Sequence, residues 1–140
     1  MRCMVAVAVL FLLGACTNKN AARERQLEGA IEDVARAERG DVDPLVMVDC
    51  TLAADKAAKW RSSGLSEEKV RRYEEGCSHG APLAVIRSRL ERDGATGCGE
   101  ALIASGWLAP SVRAAETPLL AKLRARCCDP AVTGCDSLPK

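Results

Sequence analysis

Hydrophobic residues recur along most of this chain at the three- and four-residue spacing of helices. Leu27, Ile31 and Val34, with Ala30 and Ala35 beside them, predict a first helix over about 21–39, stopped at Gly40. Asp43-Pro44 pairs a capping side chain with a proline suited to the first turn, so a second helix is expected from there to about Ser62. Its apolar stripe is Val46, Cys50, Ala53, Ala57 and Trp60, widened by Leu45, Val48 and Leu52, a face broad enough to be buried on more than one side. Gly64 ends it. Ser66 caps a third helix, Leu65 can staple onto Val70, and Glu67 and Glu68 suit the positive helix end. That helix should stop near Gly76-Cys77 and lie antiparallel to the second across a three-residue turn.

A turn over Ser78-His79-Gly80-Ala81-Pro82 leads into a fourth helix with stripe Leu83, Ile86 and Leu90, ended by Asp93-Gly94. A loop to Gly97 precedes a fifth helix, about Cys98 to Leu108. Pro110 is expected to break the chain there, with Ser111 capping a short turn. Thr117-Pro118 should start a sixth helix by the same cap-and-proline logic, running to about Cys128. Asp129 to Lys140 contains Pro130, Gly134 and Pro139 and reads as irregular. No stretch alternates as a strand does. The expected fold class is all-α: one small helical domain over 23–140, of five to six short helices, with an irregular C-terminal tail.

The N-terminus follows a different pattern. Arg2 is basic, Met4 to Leu13 is an unbroken apolar run, and Gly14 and Ala15 then precede Cys16. Ten apolar residues are too few to span a bilayer, which needs about 20, but suit the apolar region of a signal peptide. With Leu13 three residues before the cysteine and a small residue just before it, Leu13-Gly14-Ala15-Cys16 resembles the cleavage and lipid-attachment box of bacterial lipoprotein precursors. The resemblance covers residues 1–16 and brings no fold with it. It implies a signal helix over 1–15, removal of those residues, and a diacylglyceryl thioether on Cys16, usually with an N-acyl chain such as palmitate. Residues 16–22 are then the lipidated cysteine and a short polar tether. Two or more acyl chains anchor stably where one does not. Thr17 follows the cysteine in place of Asp, which resembles default sorting to the outer membrane, facing the periplasm or the exterior. In a host with one membrane the site is the outer face of that membrane.

Charge narrows the partners. Of the 20 basic residues Arg2 leaves with the signal, so the mature chain balances 19 against 19 acidic ones. It carries no electrostatic footprint for nucleic acid and no basic block to hold anionic lipid, so the lipid must do the anchoring. Aromatic residues are only 3% of the chain; beyond the signal they are Trp60, Tyr73 and Trp107. A core of Ala, Leu, Val and Ile buries less area per residue, so cross-links would help it.

Of eight cysteines, Cys3 leaves with the signal and Cys16 carries lipid. The even remainder (Cys50, Cys77, Cys98, Cys127, Cys128 and Cys135) reads, on the oxidising side of a membrane, as three disulfides. No C-x-x-C spacing points to zinc, thioredoxin-like chemistry or haem, and no cofactor is expected. Six cysteines allow fifteen pairings; helix geometry ranks them. Cys50 precedes Ser63 by 13 residues and Cys77 follows Leu65 by 12, so in an antiparallel hairpin both stand at one height. Cys98 opens the fifth helix and Cys127 closes the sixth, which leaves Cys128–Cys135 to pin the tail. Exchange of Cys127 and Cys128 remains open.

Few residues invite chemistry. Ser66-Glu67-Glu68-Lys69 matches S-x-x-K of penicillin-binding enzymes, but S-D-N and K-T-G are absent and 125 mature residues are too few for that fold, so Ser66 reads as a cap. His79, the single histidine, reads as an exposed turn residue; Ser78 beside it is no triad. Gly94, Gly97 and Gly99 open a helix but fit neither nucleotide fingerprint. Glu67, Glu68, Glu74 and Glu75 share a charged face with Arg71 and Arg72, explained by solvated pairs such as Glu68–Arg72 and Arg71–Glu75. Trp60 and Trp107 read as core. With an anchor and staples but no nucleophile–base set, the expectation is a non-catalytic envelope lipoprotein that binds another envelope protein or supports an assembly. An inhibitor or surface-exclusion lipoprotein is the nearest alternative. A small cell-wall hydrolase is the rival class, favoured only by a cleft that brings His79 near Ser66 or a carboxylate.

Overall fold

The computed structural model describes residues 3–41, 44–92, 97–129 and 135–139. Those residues form eight helices and no strand: α1 (Cys3–Glu38), α2 (Pro44–Thr51), α3 (Ala53–Ser62), α4 (Glu67–Ser78), α5 (Gly80–Arg92), α6 (Cys98–Trp107), α7 (Pro110–Ala115) and α8 (Thr117–Cys127). The domain is all-α, as the spacing predicts. Asp43, the Asp93-Gly94 stop and the loop residues from Gly94 to Thr96 lie outside the described residues, as does 130–134 of the tail.

α1 runs unbroken through 16–22, the stretch read as a tether, and enters the core at Leu27. Leu27, Ala30, Val34 and Ala37 are buried along one side, and Ile31 packs against them. The helix stops where Gly40 takes a φ of 94°. The Gly40 N–H donates to the Ala37 carbonyl (2.9 Å) and the Asp41 N–H to that of Arg36 (3.1 Å), a Schellman closure that needs a left-handed residue. Gly64 repeats the device after α3 at φ 73°, with Leu65 N–H bonded to Trp60 (3.1 Å) and the Leu65 side chain packed on the core.

The single helix expected over 44–62 is two. Leu52 departs from helical geometry (φ −101°, ψ 14°) between α2 and α3. The Thr51 hydroxyl donates to the Met47 carbonyl (2.8 Å), a back-bond that bends helices. Leu52, expected to widen the buried face, is 43% exposed. Val46, Cys50, Ala57 and Trp60 are buried as the stripe requires, and Ala53 packs partly against them. α3 and α4 then form the predicted antiparallel hairpin, Ser66 accepting the Lys69 N–H (3.4 Å) as N-cap.

The expected five-residue turn before the fourth helix shrinks to His79, at φ −135° and ψ −78°. The ring of Pro82 would meet the Ser78 carbonyl in a helix continued from α4, while in the first turn of α5 its missing N–H costs nothing. Pro110 likewise starts α7 instead of only breaking the chain, so Ser111 lies inside a helix. Thr117 is the first residue of α8 and not its cap; its hydroxyl donates back to the Ala114 carbonyl (3.0 Å).

The core has two parts. One gathers α1 to α4 around Leu27, Val34, Val46, Trp60, Val70 and Tyr73. The other gathers Leu83, Val85 and Ile86 of α5 with α6, α7, α8 and Leu138 of the tail. Trp107, half-buried, packs against both. Six of the eight cysteines stand at disulfide distance as Cys50–Cys77, Cys98–Cys127 and Cys128–Cys135, with Cα separations of 5.0, 5.3 and 5.8 Å. These are the partners that the helix heights rank first.

α1 and α4 run parallel and close. Lys69 meets Glu24 and Glu28, Gly76 faces Val34, and Gly80 faces Glu38. A Cβ on Gly76 would fall on the Val34 Cγ1 methyl. Gly76→Ala is therefore expected to destabilise by about 1–3 kcal/mol despite its better helix propensity. Urea denaturation checks this; a stabilised variant would mean that the two helices have slack.

Candidate functional site

Polar side chains gather where the C-terminal end of α1 meets the α4–α5 junction. A recess of about 510 Å³ is lined there by Glu38, Arg39, His79, Arg87, Ser88 and Glu91, among others. Its shape follows from two breaks: the Gly40 turn that ends α1 and the His79 kink that starts α5. His79 is exposed, as expected of a turn histidine, and shares the recess with two carboxylates. Among the described residues no hydrogen bond joins its ring to either. Ser88 carries a buried hydroxyl with no hydrogen-bond partner. It lies nine residues beyond His79, about 13 Å along α5 at 1.5 Å per residue. A nucleophile and its base must meet within about 3 Å. Ser78 is no closer to a triad, since its hydroxyl is bonded to the Glu75 carbonyl (3.3 Å).

Ser66 and His79 flank opposite ends of α4, a helix of 12 residues and so about 18 Å long. In the S-x-x-K match, Ser66 is bound to its cap and the Lys69 ammonium sits between Glu24 (2.5 Å) and Glu28 (2.7 Å). Glu24 first and Glu28 second stabilise the charged form and push the Lys69 pKa up, the opposite of what a lysine base requires. The charged face of α4 differs in its partners from the expected intrahelical pairs. Arg71–Glu75 is present at 3.6 Å. Glu67 and Glu74 turn instead to Arg61 across the α3–α4 hairpin, at 2.9 and 2.5 Å. Those bonds hold Arg61 firmly protonated, Glu74 contributing most, and draw the Glu67 carboxyl below its usual range. Of the Gly94-x-x-Gly97-x-Gly99 run, Gly97 and Gly99 open α6, and Gly97 packs against the Arg89 side chain.

Trp60 is 5% exposed and meets Tyr73 edge to face, ring centroids 5.0 Å apart at 80°. The Tyr73 hydroxyl donates to the Asp49 carbonyl (2.6 Å), and burial pushes its pKa up. Two arginines that the sequence did not single out secure the tail. Arg124 donates to the carbonyls of Cys135 (3.1 Å) and Leu138 (2.8 Å), and Arg113 to those of Ser105 (2.7 Å) and Ser137 (2.6 Å). Nothing in residue type or spacing separates them from solvated helix cations, because their partners are backbone carbonyls, three in a tail without periodicity and one, that of Ser105, in α6.

The side chain of Cys16 lies outside the described part of α1. Among the described residues no helix is long and apolar enough to cross a membrane, and no three His, Cys, Asp or Glu side chains gather to hold a metal ion. Ile103, on the outer side of α6, is 55% exposed, and the flanking Gly99 and Gly106 open onto free space. No family model, curated protein or solved structure matches this chain.

Proposed function

We propose that the chain is an envelope lipoprotein, held by acyl chains on Cys16 at the outer membrane, whose stapled helical domain has a protein-binding or structural role. The observation that carries the reading is Leu13-Gly14-Ala15-Cys16 closing an apolar run, followed by a chain whose other cysteines stand paired. A non-catalytic role is supported by the occupation of the reactive side chains: Ser66 caps, Lys69 is ion-paired, and Ser88 is too far along α5 to meet His79. An inhibitor or surface-exclusion lipoprotein would use one helix face to block its target.

Metabolic labelling with palmitate tests the anchor. Wild-type protein takes up label and stays with the membranes, and Cys16→Ser loses both. Label retained by Cys16→Ser would refute the assignment. The rival hydrolase reading draws on the recess that places His79 with Glu38 and Glu91. Cell-wall hydrolysis by the purified protein, abolished in His79→Ala, would replace the binding role with a catalytic one.

A further inference from the structure

We infer that the α3–α4 turn, Ser62 to Ser66, is the face of the domain that meets the lipid headgroups, and that the His79 recess is its far end. The inference rests on the proposed lipidation of Cys16 and deepens it, because the fold gives that anchor a direction. α1 is continuous from Cys16 into the core, so the lipid is joined to the domain by helix. Leu27, the first buried residue among the described side chains of α1, lies about 16 Å from Cys16 at 1.5 Å per residue.

The parallel register of α1 and α4 carries the direction into the body of the domain. Lys69 stands level with Glu24 and Glu28, Gly76 with Val34, and Gly80 with Glu38. The N-terminal end of α4 is thus at the Cys16 end of the molecule. The α3–α4 turn lies one helical turn before Lys69 and is level with about residues 20–24. Glu38, Arg39 and His79 stand on the opposite end, more than 30 Å from Cys16 along α1.

The lower end suits a headgroup layer. The turn is Ser62-Ser63-Gly64-Leu65-Ser66, small and polar apart from Leu65, which packs inward. Beside it on α1, Lys19, Arg23 and Arg25 are exposed, while Lys69 takes the intervening Glu24. Glu67 and Glu68 are also exposed at the start of α4, but with Lys59 and Arg61 exposed at the end of α3 the cations outnumber the carboxylates at this end, although the mature chain as a whole is neutral. Anionic headgroups attract cationic residues over about one Debye length, roughly 8 Å at physiological salt. The three cations of α1 are too few to anchor the chain but are placed to bias its tilt.

The test uses full-length lipidated protein in vesicles of zwitterionic and anionic phospholipid doped with a lipid bearing a diazirine in its headgroup. After irradiation, adducts are mapped by peptide mass spectrometry. The expected adducts fall on 17–25 and 61–66 and spare 38–41 and 79–87. With Lys19, Arg23 and Arg25 all changed to Gln, adducts at 61–66 should fall severalfold while flotation with the vesicles is unchanged. Adducts at 38–41 or 79–87 equal to those at 61–66, or adducts confined to 17–25, would overturn the inference. Failure to float with the vesicles, or a mass without acyl groups, would instead refute the lipidation on which it rests.

Discussion

Trp60→Ala should lower the stability of the domain by about 3–5 kcal/mol, the usual range for removing a large buried aromatic. Trp60 is 5% exposed in a core part otherwise built largely from Ala, Val, Leu and Cys side chains. Its edge-to-face contact with Tyr73 adds to the loss, and small neighbours have little reach to close the cavity. Native domains hold only about 5–15 kcal/mol in total, so this one change should consume much of it. Urea denaturation would show a large fall in midpoint at unchanged slope. A loss below about 1 kcal/mol would mean that the indole is not enclosed as described. Tyr73→Phe is the companion measurement. It keeps the ring contact and removes only the bond to the Asp49 carbonyl, so a loss of about 1 kcal/mol is expected.

Removing the Cys98–Cys127 bridge by the double change Cys98→Ala and Cys127→Ala should cost about 3–4 kcal/mol, since its ends lie 29 residues apart. This bridge joins the start of α6 to the end of α8. Thermal melts under non-reducing conditions would measure the effect. The single change Cys98→Ala probes something further. It frees Cys127 next to the Cys128–Cys135 bridge, and a thiolate so placed can attack that bridge. Peptide mapping without reduction should then find Cys127–Cys135 beside Cys128–Cys135. A double variant as stable as wild type would show that helix packing alone holds α6 on α8.

Much of the fold was legible because helix periodicity and end signals agree in this chain. Leu27, Ala30 and Val34 face the core as their spacing says, and Ser66 caps where a serine precedes two glutamates. Equal heights above the α3–α4 turn were enough to rank Cys50–Cys77 first. The errors cluster where one residue can serve two purposes. Thr51 looks like an ordinary helical position, but its hydroxyl turns back on Met47 beside the break at Leu52. Pro82 and Pro118 each signal a helix start and Pro110 reads as a break, yet whether a proline stops a helix or opens the next, and how long a turn precedes it, depends on how neighbouring helices pack. The ion pairs were misread for a related reason. Sequence spacing exposes partners on one helix, such as Arg71–Glu75, but Arg61 with Glu67 and Glu74, and Lys69 with Glu24 and Glu28, are matched only by tertiary register.

The site was less legible than the fold. Sequence placed His79 in an exposed turn, which holds, but gave no sign that Glu38, Arg39 and Ser88 would share a recess with it. That recess exists because α1 ends where α4 turns into α5, a relation between elements about 40 residues apart in the chain.

Export, lipid anchoring and complete disulfide pairing of the proposed lipoprotein all register in the intact mass of the protein. The protein would be taken from the membrane fraction and alkylated without prior reduction. The expected mass is that of a chain beginning at Cys16, heavier by its acyl groups and carrying no alkylated thiol. A chain still bearing residues 1–15, with its cysteines alkylated, would contradict it and return the same six cysteines to metal or redox chemistry.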